Sequence, residues 1–281
     1  MAQLLKGAPA AAALTEELAK RCGALIDRNI RPTLALLRVG ENESDLAYER
    51  GIEKRCAAVG IEVRKVLLPA DTDQASVLAA IADINSDPSV HGCLMFRPLP
   101  KHLDEAAVCE ALDAKKDADC MTEWSLTHVF TGRGDGFAPC TAESCIEILK
   151  YYGYNLSGKN VAVIGRSLVI GKPVSMLLQK ENATVTMCHT KTVDLPKVCR
   201  DKDILVVAAG RARIVDASYT NAEQAVIDVG INVDTDGNMC GDVDFDSVEP
   251  ACAAITPVPG GVGSVTTAIL CRHVIEAAEK L

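Results

Sequence analysis

Short runs of β-branched and aliphatic residues alternate along the chain with longer stretches whose apolar positions recur at helical spacing. TLALLRV (33–39) predicts a strand, and residues 43–59 a helix. IEVRKVLL (61–68) predicts the next strand, followed by a helix over about 73–85. VHGCLMF (90–96) is a third strand, with a short helix near 103–112. This βαβαβα order implies parallel strands joined by right-handed crossovers. A helix over about 141–152 opens a second alternating set. Its strands are KNVAVIG (159–165), ATVTMCH (183–189), DILVVAAG (203–210) and AVIDVG (225–230), with helices over 171–180 and near 193–199. Residues 262–280 predict a last helix, and no repeat or low-complexity tract is visible.

The expected fold class is α/β, with two α/β domains. The C-terminal one is a Rossmann-type dinucleotide-binding domain with a parallel sheet, and a cleft between the two is the default ligand site. The expected boundaries are 1–138 for the first domain and 139–263 for the second, with helix 264–281 packing back on the first. The seam is placed near 120–140, where TGRGDGFAPC is rich in Gly and Pro.

Composition narrows the function classes. The chain has 281 residues, 48% hydrophobic and 24% charged, with mean hydropathy +0.14, enough for a full core. Twenty-nine Lys+Arg against 38 Asp+Glu give a net charge of −9. Nucleic acid and anionic membranes both demand excess positive charge, so neither is an expected partner. Aromatics at 4% argue against a base-stacking RNA platform. The twelve cysteines include no CxxC and no Cys/His cluster of zinc spacing, so no metal is expected. The opening MAQLLKGAPAAAALTEEL lacks an apolar core of signal type, and no 18-residue apolar run occurs. A reduced, cytoplasmic setting is the expectation. His91, His102, His128, His189 and His273 form no Ser-His-Asp pattern, so no nucleophilic catalysis is assigned.

VAVIGRSLVIGKP (161–173) carries the cofactor signal. An apolar strand ends at Gly165 and a helix opens near Gly171. Glycines let backbone N–H groups approach a pyrophosphate, and a helix N-terminus supplies partial positive charge. Pro173 excludes a Walker A loop, and Ser167 replaces the second glycine of a standard GxGxxG. An NAD-specific site carries an acidic residue at the end of the second strand. Here that strand ends CHTKT (188–192), and Thr190, Lys191 and Arg166 offer donors and positive charge that suit a 2′-phosphate. NADP is favoured, with NAD possible.

The chain also resembles a known family, the methylenetetrahydrofolate dehydrogenase/cyclohydrolases of folate one-carbon metabolism. The resemblance runs in order through VGENESDLAYERGIEKRCAAVGI (39–61), VHGCLMFRPLPKH (90–102), KDADC (116–120) and PCTAES (139–144). It continues through VIGRSLVIGKP (163–173), ATVTMCHTKT (183–192), VIDVGIN (226–232), GDVDF (241–245) and TPVPGGVGSVT (256–266). It implies a homodimer with folate between the domains and a nicotinamide cofactor, usually NADP, on the C-terminal one. Tyr48 would stack on the aminobenzoate ring and Asp119 would hydrogen-bond the pterin. The loop Pro259, Gly260, Gly261, Val262 and Gly263 would lie near pterin and nicotinamide. Gly165, Arg166 and Ser167 would hold the cofactor phosphates, with Thr190 assisting, and Ile231 would sit near the nicotinamide end; Lys191 joins the cofactor-binding candidates on its charge alone. Ser44, Met95, Phe96 and Arg97 complete the substrate-binding candidates.

Two departures bear on activity. The family's helix reads Tyr, three residues, then a Lys that serves the cyclohydrolase step; here that position is Ile52. Lys54 cannot substitute, because two further residues rotate a side chain roughly 200° round the helix. The family's Gln-Leu-Pro-Leu-Pro, whose Gln orients the Lys, is here Phe96-Arg97-Pro98-Leu99-Pro100. Hydride removal from the methylene carbon needs no obligatory proton transfer, whereas hydrolysis of the methenyl cation needs an activated water. The expected protein is a dehydrogenase with weak or absent cyclohydrolase activity, its site lined by an apolar patch at Ile52 and Phe96. Alternatives are a bifunctional enzyme using Arg97 and a non-catalytic dinucleotide-binding protein. Smaller departures are Leu168, Ala142, Ser144 and Ser264, where Asn, Pro, Gly and Pro are usual.

Overall fold

The computed structural model describes residues 1–280. The chain runs β1 (Gln3–Leu4), α1 (Gly7–Asp27), β2 (Thr33–Val39), α2 (Glu43–Val59), β3 (Glu62–Leu68), α3 (Gln74–Ser86) and β4 (Gly92–Met95). Helices α4 (Glu105–Ala111), α5 (Glu123–Thr131) and α6 (Cys140–Tyr151) follow. Then come β5 (Asn160–Ile164), α7 (Gly171–Lys180), β6 (Thr184–Cys188), α8 (Leu195–Arg200), β7 (Ile204–Val207) and β8 (Ala225–Asp228). The last elements are β9 (Asn232–Val233), β10 (Met239–Cys240), α9 (Phe245–Val248), β11 (Ala254–Ile255) and α10 (Thr266–Glu279).

Two compact units result: Met1–Ala11 with Thr141–Thr266, and Ala12–Cys140 with the C-terminal segment from Thr267. The first eleven residues thus leave the expected 1–138 domain. The reason is a strand too short to read from sequence: β1 pairs in parallel with β11, Gln3 opposite Ala254 and Leu4 opposite Ile255. The Gly/Pro-rich seam also shifts, since 120–140 stays within one unit and contains α5. The expected helix 262–280 begins later, at Thr266, after a 3₁₀ turn at Val262–Ser264.

The unit holding β5 has a six-stranded sheet in the order β1-β11-β8-β7-β5-β6. Every pairing in it is parallel. β7 and β8 are buried at every residue, as expected of parallel strands covered on both faces. The order reverses at β5, with β6 on one side and β7 on the other. Ligands of open α/β sheets bind at such a switch point, beyond the strands' carboxyl ends. β9 and β10 form a small antiparallel hairpin beside the sheet.

The second unit has a three-stranded parallel sheet, β3-β2-β4, over a core that includes Leu37, Val77, Ile81, Ile84, Cys93 and Met95. Asn42 caps α2 by accepting the Ser44 amide at 3.1 Å, and Glu43 and Asp45 favour its positive end. Gly60, at φ +96°, ends the helix and donates to Cys56 O at 2.8 Å. The buried stripe of α2 is Glu49, Ile52, Cys56 and Val59, one helical face. No disulfide joins any of the twelve buried cysteines, and no helix is long and apolar enough to cross a membrane, among the described residues.

Candidate active site

In the unit built on β5, the chain leaves the sheet at Gly165 with φ +131°, a conformation open to glycine and strained for other residues. A Cβ there would collide with the Ala208 carbonyl at the end of β7, and one on Gly171 would strike the Gly165 carbonyl. Both glycines are therefore required by close backbone packing. Ser167 shapes the turn between them, accepting the Ile170 amide at 3.1 Å through Oγ and the Lys172 amide at 3.0 Å through its carbonyl. Helix α7 opens at Gly171 with no acidic residue in its first turn, which leaves its positive end uncompensated.

Arg166 and Ser167 are exposed on this turn, and Thr190 and Lys191 are exposed just beyond β6. The Lys191 amide donates to His189 Nδ1 at 3.1 Å, fixing that turn. Donors, cations and an open helix end with no carboxylate among them fit the phosphates of a dinucleotide.

Ile231 and the loop Pro259–Gly263 come together in the same unit, around a pocket of about 240 Å³ that also reaches Asp228, Gly230 and Met239. Ile231 is 68% exposed and lines this pocket. The loop is propped from behind by the N-terminal segment: Gly7 donates its amide to Gly260 O at 2.8 Å, and a Cβ on Gly7 would strike the Gly261 carbonyl. Sequence reasoning passed over Gly7, whose partner lies some 250 residues away. It also passed over two buried carboxylates, Asp228, which lines the pocket, and Asp242, which packs against Gly230. An aspartate closing the apolar run AVID was the available signal.

In the other unit, α2 presents Tyr48 at 37% exposure and buries Ile52 completely one turn later. Phe96, directly after β4, is also buried, and its ring meets Tyr48 edge to face at 6.2 Å. The expected apolar patch is therefore sealed at Ile52: that side chain is core, and the accessible aromatic surface is the Tyr48 ring. Lys54 points to solvent. Met95, named above among substrate-binding candidates, belongs to the core cluster. Ser44 is exposed one turn before Tyr48, and its hydroxyl is engaged with the Asn42 carboxamide at 3.0 Å.

Two aspartates follow β4 and divide the work. Asp117 is fully buried and accepts Met121 N, Thr122 N and Thr122 Oγ1, each at 2.8 Å, so it is structural. Asp119 is partly exposed and accepts the Cys140 amide at 3.0 Å. Desolvation raises its pKa, against the Cys140 hydrogen bonds and the nearby charges of Arg97 and His273. Arg97, half-buried, also reaches the Cys109 thiol. It lies among Asp119, Cys109 and Cys120. Behind α2, Glu49 is held by Arg38 at 2.9 Å and Lys65 at 2.8 Å. Burial pushes Glu49 up, but these hydrogen bonds hold it below the usual carboxylate range.

Comparison with known proteins agrees with this architecture. Residues 5–119 match the model of the tetrahydrofolate dehydrogenase/cyclohydrolase catalytic domain, and residues 139–281 match the family's NAD(P)-binding domain. A bifunctional protein FolD from Carboxydothermus hydrogenoformans is 50% identical over 283 residues, covering 100% of this chain and 99% of that one. The crystal structure of the bifunctional FolD methylenetetrahydrofolate dehydrogenase/cyclohydrolase from Campylobacter jejuni superposes with TM-score 0.95 at 35% identity, covering 100% and 99%. The Trypanosoma brucei enzyme complexed with NADP and an inhibitor gives 0.91 at 33% identity, covering 99% and 98%. With both halves of the chain matched by the family's two domain models and a relative 50% identical over its full length, the protein belongs to the tetrahydrofolate dehydrogenase/cyclohydrolase family.

Proposed function

We propose that the protein oxidises 5,10-methylenetetrahydrofolate to 5,10-methenyltetrahydrofolate with NADP as acceptor, and that its cyclohydrolase step is weak or absent. The observation that carries this reading is the full burial of Ile52 at the helix position where the resemblance calls for a lysine. Phe96 occupies the neighbouring polar position, and Lys54 faces solvent.

Tyr48 offers a ring face for the aminobenzoate group, and Asp119 offers a carboxylate to donors on the pterin. Arg166, Ser167, Thr190 and Lys191 would hold the dinucleotide, the two cations matching a 2′-phosphate. Bound NADP would supply the carbon that accepts the hydride. Ile231 and the Pro259–Gly263 loop would keep water away from that carbon. The C–H electron pair leaves the methylene bridge, and the remaining cation is shared by its two flanking nitrogens. Orientation suffices for this step. Hydrolysis needs a base for the attacking water and an acid for the departing nitrogen, and neither Ile52 nor Phe96 can serve.

A second reading, a bifunctional enzyme, is favoured by the relatives described as bifunctional and by the proximity of Arg97 to Asp119. The deciding experiment gives purified protein methylenetetrahydrofolate with NADP⁺ or NAD⁺ and follows methenyl and 10-formyl products separately. Accumulation of the methenyl product, faster with NADP⁺, is expected. Rapid methenyl hydrolysis above the buffer rate would establish the second reading. No reduced cofactor at all would leave a dinucleotide-binding protein without turnover.

A further inference from the structure

Two buried carboxylates stand at the carboxyl end of the six-stranded sheet with no part in the hydride step. Asp228 ends β8, and Asp242 follows β10; they are 4% and 0% exposed. Asp242 accepts three successive backbone amides, Ala209 at 2.6 Å, Gly210 at 2.8 Å and Arg211 at 2.9 Å. It also accepts Asn232 Nδ2 at 2.9 Å. Asp228 accepts Gly230 N at 2.9 Å, Val243 N at 3.0 Å and Asp242 N at 3.1 Å.

We propose that Asp228 and Asp242 are positioning residues for the dinucleotide site, an interlocked pair that presets the loops after β7 and β8 and so fixes Ile231. The inference rests on the dinucleotide reading of this unit. Successive amides wrapped around one anion form a nest of the kind that elsewhere holds phosphate. Here the protein fills that nest with its own carboxylate, which sets the β7 loop before any ligand arrives. Ile231 lies between Gly230 and Asn232, one tied to Asp228 and the other to Asp242. Its backbone is thus clamped on both sides while its side chain stays exposed at the pocket. The glycines are reciprocal: a Cβ on Gly230 would strike the Asp242 carboxylate, and one on Gly241 the Asp228 carboxylate. Apolar residues would fill this space at lower desolvation cost but could not gather amides from three segments.

The test is NADPH titration by fluorescence with wild type, Asp242→Asn and the milder Asn232→Ala, each checked for folding by circular dichroism. Asp242→Asn is expected to weaken NADPH binding about tenfold or more, the loss of hydrogen bonds to a charged acceptor. Asn232→Ala is expected to weaken it about threefold to tenfold on the same argument, with the KM for the folate moving less than about twofold. If Asp242→Asn does not fold, Asn232→Ala decides. A folded Asn232→Ala protein that melts earlier yet binds NADPH as tightly as wild type would overturn the proposal. So would hydrogen exchange in which the amides of 209–211 and 230–232 become protected only after NADPH is added. Failure of the wild type to bind NADPH would instead remove the dinucleotide reading, and this inference with it.

Discussion

The Tyr48 ring stands edge-on to Phe96, with centroids 6.2 Å apart and planes at 81°. Ile52 lies one turn on from Tyr48, on the buried face of α2. Neither Ile52 nor Phe96 carries a group that could activate a water. The double substitution Ile52→Lys with Phe96→Gln is expected to raise methenyl hydrolysis by about 100-fold or more, the usual range for a general acid–base group. Ile52→Lys alone should cost at least about 3 kcal/mol of stability, because it buries an amine without a partner. Decay of methenyl absorbance and urea denaturation measure the two effects. A double variant no faster than wild type would show that hydrolysis is limited elsewhere.

Arg166 and Lys191 are exposed cations flanking the β5 and β6 turns. Replacing either by Ala should raise the KM for NADP⁺ about tenfold, the loss of one charge-assisted contact. The NAD⁺ reaction should be nearly unaffected. The ratio of kcat/KM for the two cofactors reads this directly, and equal losses with both would assign these cations to the shared pyrophosphate.

Glu49 bridges a buried Arg38 and a half-exposed Lys65. Glu49→Gln leaves Arg38 buried without its counter-charge and is expected to cost about 3 kcal/mol or more at pH 7. Its pKa is held below the ordinary 4.5, so its contribution is present above that pH and is lost as pH falls through the depressed value. The wild-type advantage over Glu49→Gln should therefore shrink in acid. A difference independent of pH would mean that Glu49 acts through packing.

Asp228 behaves in the opposite sense. Burial pushes its pKa up to about 6, against three backbone amides, with the Asp242 charge adding to the rise. An acid with a raised pKa stabilises the fold below its unfolded value and loses that contribution as pH climbs through the folded one. Between pH 4 and 6 the wild type should lose about 2 kcal/mol relative to Asp228→Asn. Chemical denaturation at closely spaced pH values would show this slope, and parallel curves would contradict it.

The long apolar strands and their helices were legible because period and composition agreed, as in TLALLRV and VAVIG. Helix α1 was not assigned, although Leu14, Leu18, Cys22 and Leu25 form a buried stripe at helical spacing. β1 and β11 have two residues each, and their pairing is decided by tertiary position. At the site, the glycine turn followed from backbone sterics; Tyr48 and Ile52 were marked by the family resemblance, and helical rotation only put them on one face and Lys54 on another. The Asp228–Asp242 interlock was not legible, because nothing local marks which amides a buried carboxylate will gather. Met95 ends β4 within the core cluster, and nothing in the sequence marks it as more buried than its neighbours.

The pairing of Gln3 with Ala254 sets a schedule for synthesis. At roughly 5–20 residues per second, the ribosome delivers the partner of the first strand some 12 to 50 s after that strand emerges. The other unit waits as well, for its segment from Thr267 onward. Both halves wait for the end of the chain, so loss of everything from Ala254 onward would leave two unfinished bodies, whereas loss of only the segment from Thr267 would deprive one of them.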